Sequence, residues 1–566
     1  MTVSRRHFLG ASATLAGAGI AGVPTQRVSS ATRQAHTTQT TPSAVPPVEL
    51  IALNRMAYGP RPGDVERVRQ MGFQGYVDEQ LNPNDADDAV CNQKIAETRL
   101  RIQYSGGSNY PPVDEMRPLR TIVENWGLSQ LWPLTKNPAY QERIRPVEEV
   151  RAATLLRAVY SKWQLREVLV EFWHNHFNVD AYSDTRISAT WPLYDRDVIR
   201  RHCLGNFRNM LRDVAKSIAM GFYLDNVFSR DGPANENFAR ELFELHTMGQ
   251  ENYLNHLYNR WRDVPGALAG NPIGYIDQDV YEAARAFTGW TIAHGQTVSS
   301  NIRLPDTGEF AYVDLWHDNA QKRVLAFEID SNQRPLSDGE VVIRLTSEHP
   351  GTARHICRKL CRRLLADDPP DSLVQSLATI WLANKDAPDQ IARTVRALLL
   401  SDEFANTFGR KVKRPFEVIV SFLRATNANV TPNARVFWSL QEMGYRMFNW
   451  GPPTGHPEEP EAWLSTNGML RRWNIISQLQ ANWFEAASFD LPGQTPPGRT
   501  CRQIVAFWVE RLLAVPPPQS TIDRLVDLMR QNGSADAPPA GTTEEINDRI
   551  RSMVTLIAMT PEFQLR

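Results

Sequence analysis

The sequence predicts a mainly α-helical protein, a large multi-helix domain with a small β-hairpin or β excursion around residues 297–346. Almost every long segment after Pro47 repeats its apolar residues with a helical period. Strand-like alternation is confined to three short stretches, "FAYVDLW", "RVLAFEI" and "VVIRL", which turns separate. We therefore expect helices over 152–177, 195–223, 235–248, 279–290, 350–365, 388–400, 415–424, 468–484 and 546–559.

The composition supports a substantial core, because 42% of the 566 residues are hydrophobic and 9% are aromatic. The formal net charge is −1, so no overall field attracts nucleic acid or an anionic membrane surface. The five cysteines are too few for a disulfide scaffold. Cys357 and Cys361 lie four residues apart and are interpreted as small core residues, with a metal-binding pair as the alternative.

The N-terminus has the pattern of a targeting signal rather than of a folded element. "SRRHFLG" precedes a short, weakly apolar run rich in Ala and Gly, too short and mild for a membrane span. Arg5, Arg6, Phe8 and Leu9 make it similar to a bacterial twin-arginine export signal, with a basic terminus beside an accidental apolar run as the alternative. We expect export to the periplasm or outside, a signal over 1–31 and a flexible linker over 32–47.

The rest of the chain is predicted to contain a helical domain over 48–485 and a C-terminal helical extension over 486–566 that packs on it. An unusual aromatic segment over 250–275 interrupts the helical domain. No segment after the signal is predicted to span a membrane.

"EFWHNHFNVD" raises the question of whether His174 and His176 act together. On a helix they point about 160° apart and share no metal ion. His174 then lies one turn from Glu171, the Glu-x-x-His spacing of di-iron bundles, whereas His176 continues the apolar stripe as a core histidine. If the helix unwinds at Trp173, both rings could bind one metal.

"ANENFARELFELHTMG" predicts a short acidic helix, capped by Asn235 and ended by Gly249. Glu236, Arg240 and Glu244 are spaced for two ion pairs, and Glu241 widens the polar arc. His246 lies at the edge of its apolar face. This helix is either a solvated surface helix, a buried ion network, or half of a site that faces Glu171 and His174.

Two later stretches carry further candidate residues. "DQDVYEAARAFTGW" is predicted to start with a capping Asp277 and to place Glu282 one turn from Arg285. "LWHDNAQKRVL" brings His317 and Asp318 close to Lys322, although His beside Asp is also common in simple turns.

These motifs occur in an order that resembles the bacterial domain-of-unknown-function family numbered 1800. The matching stretches include "LNRMAYGPRPGDVERVRQMGF", "FWHNHF", "NENFARELFELHTMG", "DVYEAARAFTGW", "WHD" and "HPGTARHICRKLCRRLLADDPP". The resemblance implies a largely helical exported protein, often encoded beside an exported alkaline-phosphatase-like partner, and it settles no reaction. It maps the shared polar motifs onto His174, Asn175, His176, Asn235, Glu236, Arg240, Glu241, Glu244, His246, Glu282, Arg285, His317 and Asp318.

The chain departs from the family pattern in two places. The segment between Gly249 and Tyr275 replaces a short glycine turn and is predicted to form a mobile lid or a partner surface beside the acidic helix. After "WHD", "NAQKR" replaces the usual glycine-containing turn.

Our first hypothesis is an exported metal-dependent oxidoreductase or hydrolase with a carboxylate/histidine site, in which iron, manganese or zinc is the suspected cofactor. It requires the two acidic helices to face one cavity. The metal ligands would be Glu171, His174, His176, Glu241 and Glu244. The catalytic residues would be Asn175, Glu236, Arg240, His246, Glu282, Arg285, His317 and Asp318.

The alternative is a non-catalytic envelope protein that binds a polysaccharide or the exported partner enzyme. Its polar clusters would be structural, and its aromatic inserts would form the contact surface. A small molecule or polysaccharide is the expected substrate or ligand in either case. The sequence contains no Gly-rich phosphate loop, Ser-nucleophile elbow or haem-attachment motif, and no basic patch for nucleic acid.

Overall fold

Helices dominate the computed structural model, which describes residues 45–566 apart from Pro233, Arg410 and Phe484. The mainly helical prediction is confirmed. The predicted export signal and residues 32–44 of the predicted linker lie outside the described residues. Residues 45–566 form one compact unit.

The first part of the described chain is a series of helices that leads to two π-helical turns. The second π turn directly continues α12. The elements are α1 (Val48–Arg55), α2 (Asp64–Met71), α3 (Phe73–Gln80), α4 (Ala89–Glu97), α5 (Arg120–Val123), α6 (Leu128–Leu131), α7 (Tyr140–Tyr160), α8 (Gln164–His176), α9 (Thr185–Leu193), a π turn (Tyr194–Arg200), α10 (Phe207–Lys216), α11 (Ile218–Tyr223), α12 (Glu236–Glu241) and a π turn (Leu242–His246).

The second part resumes after the aromatic insert and is again helical. Its elements are α13 (Asp277–Ala286), α14 (Ser337–Ser347), α15 (Pro350–Leu364), α16 (Asp371–Ala383), α17 (Gln390–Leu399), α18 (Asp402–Ala405), α19 (Pro415–Ala425), α20 (Ala434–Glu442), α21 (Thr466–Gln480), α22 (Leu491–Gln494), α23 (Cys501–Leu512), α24 (Gln519–Arg530) and α25 (Thr543–Ala558).

The strands form small antiparallel pairs, to which two of the three predicted stretches, "FAYVDLW" and "RVLAFEI", contribute as expected. "VVIRL" is helical within α14, because its apolar residues pack into the core, and a hairpin before residue 120 was not predicted. The pairs are β1 (Arg99–Tyr104) with β2 (Val113–Pro118), β3 (Trp290–His294) with β6 (Asp306–Tyr312), β4 (Thr297–Ser299) with β5 (Ile302–Arg303), β7 (Lys322–Val324) with β8 (Phe327–Ile329), and β9 (Asn429–Val430) with β10 (Ala487–Ser488).

The predicted helix over 152–177 is two helices, because one remote and one local side chain bond carbonyl groups at the end of α7. Arg424 donates to the carbonyl of Val159 at 2.8 Å, and the Gln164 amide donates to the carbonyl of Ser161 at 2.8 Å. These bonds satisfy carbonyl groups that a continuing helix would have used. The chain therefore turns at residues 161–163 before α8 begins.

Side-chain caps fix the start of the predicted acidic helix and of α13. Asn235 accepts from the Asn237 backbone N–H at 2.9 Å, which confirms the predicted cap. The predicted cap at Asp277 is wrong, since the Asp279 carboxylate accepts from the Ile276 N–H at 2.9 Å. Asp277 is thereby free to pair elsewhere.

Two apolar clusters meet on opposite sides of α19. The larger surrounds α7, α8, α15 and α17, and it buries Trp173, Trp191 and Trp381. The smaller packs Val418 and Phe422 of α19 against the C-terminal helices α23–α25. The C-terminal segment is thus anchored on the same helix that supports the larger core.

The insert over 250–275 folds as successive 3₁₀ turns with an apolar cluster of its own. Leu257, Val264 and Ala267 pack together with Ile276, at the start of α13. Tyr258 and Leu268 remain exposed, 64% and 76% respectively. That this insert forms a lid or a partner surface remains a prediction.

No helix in the described part of the chain combines the length and the apolar character needed to cross a membrane.

Candidate functional site

Helix α8 is enclosed by the rest of the protein, and its polar side chains point in different directions. The rings of Trp191, Tyr194 and Phe448 surround His174, whereas His176 lies beside His246 and His355. The segment is helical through His176, so the two histidines lie on different sides, as the helical prediction requires.

Glu171 belongs to a buried ion network rather than to a pair with His174. Its carboxylate contacts the guanidinium groups of Arg414 at 2.5 Å and Arg363 at 3.1 Å, and the Tyr445 hydroxyl donates to it at 3.1 Å. Both arginines also approach Glu417. Burial opposes ionisation of Glu417. The guanidinium groups of Arg566, Arg363 and Arg414 nevertheless hold the pKa of Glu417 well below the usual range.

His174 is paired with a carboxylate on the first π turn. Its Nε2 lies 3.0 Å from Asp195, which is also 3.7 Å from Arg157 and 3.6 Å from Arg200. Burial raises the pKa of Asp195, but Arg200 and the His174 bond outweigh it, so the pKa is lowered. Asp195 thus links the first π turn to His174 of α8 and to Arg157 of α7.

The predicted acidic helix forms its two internal ion pairs and gains a third carboxylate. Arg240 lies 3.1 Å from Glu236, 3.4 Å from Glu244 and 3.2 Å from Asp277, and its pKa is raised. Burial and the neighbouring Glu244 raise the pKa of Glu241 to about 7. This cluster is partly exposed and lies on the outer side of α12.

The five predicted metal ligands do not form one group. Glu171 faces arginines and His174 faces Asp195, whereas His176 bonds the His246 carbonyl. Glu241 and Glu244 lie beside Arg240, at the end of α12 and in the π turn that follows it. Among the described residues, no set of three or more His, Cys, Asp or Glu side chains is arranged to hold a metal ion. All five cysteines, including the predicted core pair Cys357 and Cys361, are buried and free.

The last predicted cluster connects α13 to the loop before β7. Arg285 contacts Glu282 at 2.6 Å and Asp318 at 2.6 Å. His317 Nδ1 bonds the Thr288 carbonyl at 2.9 Å, and its Nε2 lies 3.3 Å from Asp338. The charged groups of this cluster bond one another, which is typical of a structural ion network.

A cavity of about 470 Å³ lies elsewhere, between α8, α15 and the loop over 450–459. Asn175 and His176 are the only predicted site residues that line it. Its walls are Phe172, Asn175, His176, His355, Lys359, Arg362, Trp450, Thr454, Gly455, His456, Pro457, Glu458 and Glu459.

Asn175 of α8 and Asn178, just beyond its end, hold the loop that closes the cavity. The Asn175 amide donates to the carbonyl of His456 at 3.0 Å and accepts from its N–H at 2.6 Å. Asn178 donates to the carbonyls of Trp450 and Pro452 at 2.9 and 2.8 Å. The loop is therefore fixed by its backbone, which leaves its side chains available to the cavity.

Three basic residues of α15 form one wall. His355, Lys359 and Arg362 are spaced four and three apart and share a helix face. Within the described residues, neither Lys359 nor Arg362 has a hydrogen bond or an ion pair, and Arg362 Nε is buried. Burial lowers the pKa of Lys359 to about 8, despite the attraction of Glu458 and Glu251.

The imidazoles around the cavity are each tied at one ring nitrogen. His176 Nε2 bonds the His246 carbonyl at 3.1 Å, and His355 Nδ1 bonds Glu251 of the insert at 2.9 Å. His176 Nδ1 and His355 Nε2 are buried without a partner among the described residues. His456 Nε2 accepts from the Arg446 N–H at 3.1 Å.

Burial keeps two of these rings neutral at ordinary pH. Burial, with the nearby Lys359, lowers the pKa of His176 well below its usual range. Burial and Arg414 lower the pKa of His456 to about 3. Neutral imidazoles can donate and accept protons or bind metals. His176 is buried and hydrogen-bonded, as predicted for a core histidine, and it also lines the cavity, whereas His174 does not.

The spacing of basic residues in the sequence is a signal for this wall. "HICRKLCRR" places three basic residues at i, i+4 and i+7, on a face that does not include Cys357 and Cys361. "TGHPEE" in the closing loop has a left-handed Gly455, but nothing local indicates that it meets α8.

Fold and site together define a large helical protein with a basic, imidazole-lined cavity. The family described as "Protein of unknown function (DUF1800)" matches residues 51–565, and the chain belongs to that family. Its match extends beyond residue 485, through the predicted C-terminal extension. Neither a curated protein nor a solved structure matches the chain.

Replacing Gly455 by Ala is expected to destabilise the closing loop. Gly455 has φ +73°, and an added Cβ would lie 2.7 Å from the Asn175 side-chain oxygen and closer still to its carbonyl. We expect a loss of about 1–3 kcal/mol in the free energy of unfolding, measured by denaturant titration. Gly451→Ala is the control, since open space surrounds that position. Equal losses for both variants would contradict the role of Gly455.

Proposed function

We propose that this protein is an enzyme that binds a small anionic substrate in the cavity between α8, α15 and the 450–459 loop. The observation that carries the proposal is a pair of cations on a single wall, Lys359 and Arg362. They lie one turn apart and have no hydrogen-bond or ion-pair partner in the part of the chain that the structure describes. Like charges held together in a half-buried space repel each other, and a bound anion relieves that repulsion. Carboxylate, phosphate and sulfate groups all fit this chemistry.

The same cavity supplies groups for proton transfer. His176 and His355 line this cavity, and each has one buried ring nitrogen that bonds none of the described residues. A neutral imidazole that is already oriented by a second bond is suited to general base or acid catalysis. Trp450 and Phe172 provide apolar walls that limit water access.

Removing either cation is expected to weaken anion binding by roughly tenfold or more, because a charge-assisted bond contributes about 1.5–3 kcal/mol. Lys359→Met and Arg362→Met would be titrated with sulfate by calorimetry. Arg358→Met is the matched control, since Arg358 lies on the same helix, pairs with Asp371 at 2.9 Å and does not line the cavity. Equal affinity in all variants would overturn the proposal.

Sulfate affinity is expected to fall as pH rises through about 8. The Lys359 pKa of about 8 means that the side chain is charged below this pH and neutral above it. An ordinary lysine would keep its charge to about pH 10. Lys359→Arg retains the charge, so its affinity should stay constant over the same range. A fall of equal size in that variant would assign the effect to another group.

A metal-assisted form of this enzyme is our second candidate, and the histidine geometry favours it. Ligating imidazoles commonly donate their second N–H to a carbonyl or carboxylate, as His176 does to His246 and His355 to Glu251. These two side chains would hold an iron, manganese or zinc ion, with water or substrate supplying further ligands. The ion would polarise the substrate.

Metal content after dialysis against each ion tests this candidate. We expect His176→Ala and His355→Ala to lose the metal, and Glu251→Gln to bind it roughly 10–100-fold more weakly. His202→Ala is the control, because His202 also bonds a carboxylate, Asp213 at 2.6 Å, but lies outside the cavity. Equal metal content in His355→Ala and His202→Ala would defeat it.

We propose that the protein is exported by the twin-arginine route. The support is the pattern of Arg5, Arg6, Phe8 and Leu9 before a weakly apolar run. Replacing both arginines by lysine is expected to leave the protein in the cytoplasm, as measured by cell fractionation. Lysine substitution of Arg33, downstream of the run, is the control and should not change the location. Export that continues without the arginine pair would rule out this route.

A further inference from the structure

The Lys359 amine is placed as a nucleophile rather than only as a charge. It lines a cavity, it has no hydrogen-bond or ion-pair partner among the described residues, and Arg362 lies one turn away. The groups that act on it electrostatically are Glu458 and Glu251, which favour its charge, and Arg362, which opposes it. Burial with a cation nearby is the setting in which lysines act as nucleophiles.

We propose that Lys359 forms an imine with the carbonyl carbon of a small 2-oxo acid whose carboxylate is bound by Arg362. The proposal rests on the proposed function, since it uses the same cavity and the same anion contact. It adds the substrate class and a covalent step. A planar guanidinium suits a carboxylate, and the neighbouring amine would then be beside the adjacent carbonyl.

The step is balanced without a further reactant. The Nζ lone pair forms a bond to the carbonyl carbon while the C=O π bond breaks, and a proton moves from nitrogen to oxygen to give a carbinolamine. The oxygen then leaves as water, and the nitrogen lone pair forms the C=N bond. The unpartnered ring nitrogen of His176 or His355 could take the second proton from Nζ and pass it to the departing oxygen, because both rings line the cavity.

Other buried lysines provide internal comparisons. Burial lowers the pKa of Lys413 to about 7, yet Lys413 lies over the Phe563 ring at 4.1 Å and does not line the cavity. Lys322 is held by the carbonyl of Ala320 at 2.9 Å and by Asp338 at 2.8 Å. Lys136, 62% exposed, represents a surface amine. Lys136 is also ion-paired with Asp306. If a lowered pKa or surface exposure were sufficient, Lys413 or Lys136 would react equally.

Reductive trapping of the full chain tests the proposal. The protein would be incubated with pyruvate or glyoxylate and sodium cyanoborohydride near pH 7, and then digested for peptide mass spectrometry. We expect the reduced adduct at Lys359 to form at least tenfold faster than at Lys413 or Lys136. Adduct spread equally over all three lysines would overturn the proposal.

Variants separate the covalent step from anion binding. Lys359→Arg should give no adduct in the cavity while it retains sulfate binding, which also verifies that it is folded. Arg362→Met should slow labelling by pyruvate but not by acetone, which carries no carboxylate. Wild-type protein that binds sulfate but forms no Lys359 adduct would refute the imine and leave the proposed function standing. Protein that neither binds sulfate nor forms the adduct would refute both.

Discussion

Helix α8 is surrounded by protein, and each of its polar side chains must therefore find an internal partner. Glu171 bonds the arginines of α15 and of the segment before α19, His174 bonds the π turn, and Asn175 bonds the closing loop. Each bond joins α8 to a segment distant in sequence. The enclosed helix thus determines where the elements around the cavity can lie.

Helical periodicity predicted most of the secondary structure, because it depends on residues within one segment. It failed where a short apolar run is ambiguous, as in "VVIRL" of α14, whose β-branched residues also suit a strand. It also missed the end of α7, since the groups that terminate that helix include Arg424, which is remote in the chain. Boundaries that depend on tertiary partners leave no local pattern.

The same distinction divides the site. The pairs Glu236–Arg240 and Glu282–Arg285 could be predicted, because each needs only the spacing of one helix. Which faces meet could not, since Glu171 finds Arg414 rather than the acidic helix. The basic face of α15 was visible as spacing, but a basic stripe is more often solvated than it is the wall of a cavity. Whether the basic face of α15 lines a cavity depends on the 450–459 loop, which Asn175 holds in place.

The bond between Glu251 and His355 makes the insert part of the cavity's chemistry. That carboxylate selects which ring nitrogen carries the proton and so fixes the tautomer that His355 presents. The residue comes from the segment that the sequence analysis predicts to depart from the family pattern. A homologue with only a glycine turn there would have to orient the equivalent ring by other means, so variation at this one junction could diversify reactivity on a shared scaffold.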